Sequence, residues 1–503
     1  MRISRTIAAA LTVLSAASGA AAAPVAPRPV VEGYLPSHRG LEATLAAVDL
    51  HAYSDVALAF VNPDAEGRFV AGDALACMTD RMLVPIPGET LHAAVATIHA
   101  AHGRAIGALA GAVRPRCAGD WATLIAPAKR AATVAELVAF AETYKLDGLD
   151  VDIEGDLLEK VIRSGDYTPF VTDLSRALHA RHKTLNGTTA SYVGGMIPLG
   201  ALPAFDRVEV MAYDDTVPGE EQATLSQFRS DLYLWLGRGV ARDRLILGLP
   251  FYARGYGSYA ATYSYRDLAS AFGAQTGDLV GRLCATCSYA TLNGPATLTQ
   301  KTALATAKAG GVMVWEISED TPDAPLLRAV KAGLTAPPPP PAAPTATAPG
   351  TGRPLNTPDV RAWTIFGSHS YGLVPEPGLP HGNALEVKVL KPTENTWDVG
   401  VSLPLSGAVK AGDRFTFAVR ARLKAADPGT QLDVPAVIEG ASAPYAEVLS
   451  GTLVVTTQWQ WLRVTGIAAH DHAPGTLNAA LQVGNAAKVI DLGPAVVTDE
   501  GQP

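Results

Sequence analysis

The chain has 503 residues, 48% of them apolar and 17% charged, with a formal net charge of -8. That length exceeds one ordinary domain, and the composition fits well-packed globular units. The mildly acidic balance, with no basic stripe, excludes capture of nucleic acid or of an anionic membrane surface by charge.

Residues 1–22 have the layout of a secretory signal peptide. Arg2 and Arg5 form a positive start, residues 7–17 an apolar stretch, and Ala20, Ala21 and Ala22 a small-residue cleavage site. The apolar run is too short to span a bilayer, and Pro24, Pro27 and Pro29 stop it from continuing as a helix. The mature protein is expected to be secreted or periplasmic.

Eight short apolar runs follow, at 30–35, 56–61, 105–112, 146–153, 184–190, 208–213, 245–252 and 311–317. Helix-period stretches separate them. One, at 134–144, is expected to open on Thr133 as N-cap, with Glu136 three residues on. Strand–helix alternation implies parallel pairing. Eight units over about 300 residues is the size of a (β/α)8 TIM barrel, expected over residues 24–334. An open doubly wound sheet is the alternative, but it lacks the Gly-rich phosphate turn.

The fourth run carries the chemistry: Asp147-Gly148-Leu149-Asp150-Val151-Asp152-Ile153-Glu154. On a strand, alternate side chains share a face. Asp150, Asp152 and Glu154 therefore point one way and Leu149, Val151 and Ile153 the other. The acidic set is expected to face the barrel axis and reach the C-terminal rim, where barrel active sites lie. Carboxylates about 6–7 Å apart along the backbone cannot all ionise freely, so at least one pKa should rise and supply a general acid. Asp147 breaks the alternation and is expected to order the strand entry.

Residues 336–354, with Pro337 to Pro341 consecutive, read as an extended semi-rigid spacer. Beyond it, residues 355–503 show period-two runs such as 415–423 and 459–464, punctuated by Gly, Pro, Asp and Asn. This predicts a separate all-β, jelly-roll-like sandwich. Cys77, Cys117, Cys284 and Cys287 are expected to form disulfides in an oxidising compartment. The histidines show no metal-ligand spacing, and neither metal nor cofactor is implied.

The acidic run matches the pattern D-G-x-D-x-D-x-E, and the chain thereby resembles glycoside hydrolase family 18, the chitinases and endo-β-N-acetylglucosaminidases. Further matches lie in order: Gly33-Tyr34, Ala59-Phe60, Met211-Ala212-Tyr213-Asp214, the segment from Gly248 through Tyr252 and Arg254 to Tyr256, and the segment from Gly310 through Trp315 to Glu316. Strand three departs from the family, with Ala108-Leu-Ala-Gly111 where S-x-G-G is common. The resemblance implies substrate-assisted, retaining cleavage of β-1,4-linked N-acetylglucosamine. Glu154 would be the acid and then the base. Asp152 would steer the substrate acetamide, Asp150 would share a proton with Asp152, and Tyr213 would bond the acetamide oxygen. Asp147 and Gly148 would be structural.

By the same resemblance Trp315 would floor the reacting sugar's subsite, with a charged Glu316 following at the rim. Met211, Asp214, Arg254, Tyr34, Phe60 and Tyr252 would be substrate contacts, Asp214 and Arg254 being equally readable as a structural ion pair. Cys77 and Cys117 follow neighbouring strands two and three and are expected to pair. Only residues 257–310 separate strands seven and eight, so a large insertion is not expected and the cleft should be shallow. The sandwich resembles a carbohydrate-binding module, with Trp397, Tyr445, Trp459 and Trp461 as stacking candidates. The expected partner is an N-acetylglucosamine oligo- or polysaccharide bound by a monomer. Cleavage of N-glycans, or catalytically silent chitin or glycan binding, remain the alternatives.

Overall fold

Eight parallel strands close into a barrel in the computed structural model, which describes residues 28–214, 216–341, 350 and 352–502. The expected signal peptide and much of the spacer lie outside the described residues. The strands are β1 (Val30–Pro36), β2 (Asp55–Val61), β3 (Arg104–Ala110), β4 (Gly148–Asp152), β5 (Thr184–Thr189), β6 (Arg207–Val210), β7 (Leu245–Pro250) and β8 (Gly311–Trp315). Each falls on one of the eight apolar runs. Closure is made by β1, where Gly33 stands opposite Val56 of β2 and Val314 of β8. Among the described residues no helix is long and apolar enough to cross a membrane.

The strands separate two apolar environments. Leu149, Val151 and Ile153 join the large core between strands and helices, as do Val56, Leu58, Val208 and Leu247. A smaller cluster fills the barrel itself and includes Tyr34, Ala57, Ala108, Ile246 and Met313. Both faces of a parallel strand are covered, which is why these segments read as apolar runs.

One local expectation is corrected. The helix assigned to 134–144 runs over Pro127–Thr143. Pro127 occupies its first turn, where a missing N–H costs nothing. Thr133 is interior, its hydroxyl donating to Leu124 O at 2.8 Å. After β7 the chain also builds a compact insertion: a four-stranded antiparallel sheet, from Tyr252–Tyr256 to Tyr289–Thr291, with the helix Tyr265–Phe272. It is small, as the segment length requires, yet it walls one side of the cleft.

Residues beyond 353 form a six-stranded and a five-stranded antiparallel sheet. The long strands Arg414–Lys424 and Lys488–Gly501 pair in the first sheet, and Gln431–Gly440 and Glu447–Thr456 in the second. Their inward side chains, among them Phe415, Phe417, Val419, Val434 and Ile438, are buried.

The sandwich docks on the barrel helix Leu225–Gly237. Ser230 Oγ donates to Asp433 at 2.6 Å, Gln431 Nε2 to Ser226 O at 2.9 Å, and Ala487 N to Gly237 O at 2.9 Å. A Cβ at Gly237 would lie 2.7 Å from that of Ala486, so glycine sets the closeness of approach. Pro340 lies at the same junction, its carbonyl accepting from Arg229 at 3.0 Å.

Candidate active site

Asp147 fixes the entry to β4. Its Oδ2 accepts from Ala105 N and meets His99 Nε2, both at 2.8 Å. Gly148 lies against β5, where a Cβ would sit 2.3 Å from Thr184 Oγ1. From this anchored start the alternation puts Asp150 and Asp152 inside the barrel, both almost fully buried. Glu154 follows at the rim in extended backbone, at the position just before the helix Gly155–Arg163, with its side chain free of any cap to that helix.

Asp150 is held at the bottom of the site. Tyr34 Oη lies 3.0 Å from Asp150 Oδ2 and 2.7 Å from Glu209 Oε2, and Thr188 Oγ1 lies 3.0 Å from Asp150 Oδ2. Asn186 donates to Glu209 Oε1 at 2.7 Å. One phenol proton cannot serve two carboxylates, so this cluster needs a protonated carboxyl. Burial drives that protonation. It raises Asp150 well above the usual carboxylate range, with Glu209 pushing the same way. Asp152 rises likewise, through burial and then the charges of Glu154 and Asp150. The rim acid Glu154 is also raised by burial, opposed by its hydrogen bond with Asp152. A carboxyl chain thus runs from the barrel floor to the rim. Asp152 Oδ1 is buried and lacks a hydrogen-bond partner.

Aromatic and apolar groups surround the chain of acids in a cleft of about 420 Å³. Trp315 is partly exposed at the end of β8, stacked on Phe60 at 5.7 Å and tilted against Tyr34 at 5.8 Å. Tyr213 packs edge-on to Tyr252 at 6.0 Å, and its hydroxyl lies 3.8 Å from Met313 Sδ. Met211 lines the same space. Asp214 and Arg254 form an ion pair, through Arg254 Nε to Asp214 Oδ1 at 2.8 Å, and both are part-exposed on the cleft wall.

Glu316 is a correction. It is buried rather than displayed at the rim, accepting from Ser318 N at 2.8 Å and pairing with Arg39 at 2.9 Å. Sequence reasoning also missed Glu209, Thr188 and Asn186. The same period-two reading, extended to β5 and β6, would have placed them on the inner face. Cys77 pairs with Cys117, and Cys284 with Cys287. The first bridge ties the segments after β2 and β3 together beside the cleft.

A TIM barrel with an acid at the rim of β4, backed by a buried carboxyl chain, has the architecture of a glycosidase acting on O-glycosyl bonds. The family model for glycosyl hydrolases family 18 matches residues 33–320, and the chain belongs to that family. Among solved structures, a family 18 chitinase from the chitin utilization locus of Flavobacterium johnsoniae is 25% identical, with a TM-score of 0.50, covering 61% of this chain and 94% of its own. A chitinase from Bacteroides thetaiotaomicron shares the fold at 20% identity and a TM-score of 0.50, covering 61% of this chain and 97% of its own. No curated protein matches the chain.

Proposed function

We propose that this protein is a secreted chitinase that hydrolyses β-1,4-linked N-acetylglucosamine by substrate-assisted catalysis. The observation that carries the reading is the Asp150–Asp152–Glu154 chain with its unpartnered Asp152 Oδ1. Glu154, raised by burial, holds a proton for the leaving glycosidic oxygen. The substrate's own acetamide oxygen attacks the anomeric carbon. Asp152 Oδ1 accepts the acetamide N–H, and the Asp152 carboxylate balances the oxazolinium charge once its proton passes to Asp150 while Asp150 hands its own through the Tyr34 hydroxyl to Glu209. Tyr213 bonds the acetamide oxygen, and the face of Trp315 supports the sugar ring. Glu154, now ionised, takes a proton from the incoming water.

The chitinase from the chitin utilization locus supports the polymer substrate over a glycoprotein glycan. The test is incubation with N-acetylglucosamine oligosaccharides and, separately, with an N-glycosylated protein, with products weighed by mass spectrometry. Shortened oligosaccharides and an untouched glycoprotein are expected. Release of the N-glycan with intact oligosaccharides would replace this reading with endo-β-N-acetylglucosaminidase activity, and binding without products would replace it with a silent lectin.

A further inference from the structure

Beside the catalytic cleft lies a larger chamber of about 870 Å³, bounded by the helices Leu41–Ala47 and Tyr265–Phe272 and the segment after β8. Chamber and cleft meet at His38, Arg39 and Glu319, which line both. Arg39 bridges two acids there: Nε to Glu316 Oε1 at 2.9 Å, and Nη2 to Glu319 Oε1 at 2.7 Å. Glu319 is 5% exposed, and its Oε2 has no hydrogen-bond partner. A buried polar atom left unpaired is destabilising, since it has lost its water without gaining a partner. An incoming hydroxyl or amide supplies that partner. The same condition marks Asp152 Oδ1 in the catalytic cleft.

We propose that Arg39 and Glu319 form a second sugar-reading site at this junction, where Glu319 Oε2 hydrogen-bonds an acetamide or hydroxyl oxygen of the sugar next to the one held over Trp315. The inference rests on the cleft being a site for N-acetylglucosamine polymers. Arg39 is part-exposed at the boundary and can turn its remaining N–H groups to the same sugar. Arg39 also offsets the surrounding acids, which suits an uncharged saccharide.

The protonation of Glu319 sets which partner it accepts. Burial raises it to about 8, Glu316 and Asp267 add to the rise, and Arg39 and Arg254 oppose it. From the insertion, Arg266 N donates to Glu319 O at 2.9 Å and fixes the backbone. Near neutral pH Glu319 carries a proton and donates to a carbonyl oxygen. Above pH 8 it becomes a carboxylate and that donor is lost.

The experiment is calorimetric titration of an N-acetylglucosamine hexasaccharide into the full chain carrying Glu154→Gln, at pH 6.5 and pH 9. Affinity should fall about five- to tenfold between the two, the worth of one hydrogen bond. Adding Glu319→Gln, whose amide keeps the donor, should hold affinity at both values. Glu319→Ala should bind weakly at both. Equal binding by all three, or a pH-dependent loss that persists undiminished in Glu319→Gln, would overturn the assignment. If the alanine variant fails to fold, the isosteric glutamine variant decides alone. Absence of binding by the parent would overturn the reading of the cleft itself, and this inference with it.

Discussion

Replacing Asp152 with asparagine separates the two tasks given to this side chain. Asp152 lies between Asp150 and Glu154 on one face, is 3% exposed, and is pushed towards its protonated form by burial and then by Glu154 and Asp150. An asparagine amide copies that protonated form in size and can still donate to Glu154. It cannot become an anion when the oxazolinium forms. At about 4 Å and an effective dielectric near 20, one charge pair is worth about 4 kcal/mol. That corresponds to about a thousandfold in rate. We expect kcat for N-acetylglucosamine oligosaccharides to fall by roughly that factor while KM changes little, because the ground state carries no positive charge. Steady-state kinetics near pH 6, with circular dichroism to verify folding, makes the measurement. A loss below about tenfold in kcat would refute the charge-balancing role.

Lys301 is fully buried beside Asn293 and over the Phe228 ring, with its pKa pushed down to about 7. The folded form thus holds the proton less tightly than an exposed lysine near 10.5, so stability is lost as pH falls from about 10.5 to 7. Lys301→Met should stabilise the protein by about 2 kcal/mol at pH 7, a gain that shrinks towards pH 10 in urea melts. Replacing Cys77 and Cys117 together by serine opens a crosslink with a sequence separation of 40 and should cost about 2–4 kcal/mol in the same melts. Deleting everything after Thr335 uncovers the docking face around Ser230 and Asp231, both 3% exposed. The shortened chain should melt several degrees lower in calorimetry, whereas a merely tethered sandwich would leave the barrel's transition unchanged.

The barrel was legible because strands covered on both faces leave unmistakable apolar runs, and because alternation along 147–154 forces three acids onto one face. The rest of the inner face was harder to see. Glu209 stands between Val208 and Val210, and Thr188 lies in the uncharged run from Thr184 to Ala190, so neither interrupts an otherwise ordinary strand. Their meeting with Tyr34 and Asp150 depends on closure of the sheet. Arg39 and Glu319 are farther still from sequence reasoning, being 280 residues apart and joined only because β1 and β8 are neighbours. The docking of the sandwich on the barrel was not legible for a different reason. Proline content dictates local extension, but the position of the sandwich is decided by contacts of Ser226, Ser230 and Gly237 that the linker composition does not encode.

Substrate-assisted catalysis makes a stereochemical claim that no binding or mutational result can replace. The acetamide oxygen closes a ring on the face opposite the leaving group, and water opens that ring from the original face. Proton NMR of the first product from a β-linked N-acetylglucosamine oligosaccharide, recorded before mutarotation, should therefore show the β-anomer. Initial α-anomer, or a trapped glycosyl adduct on Asp152, would contradict the mechanism.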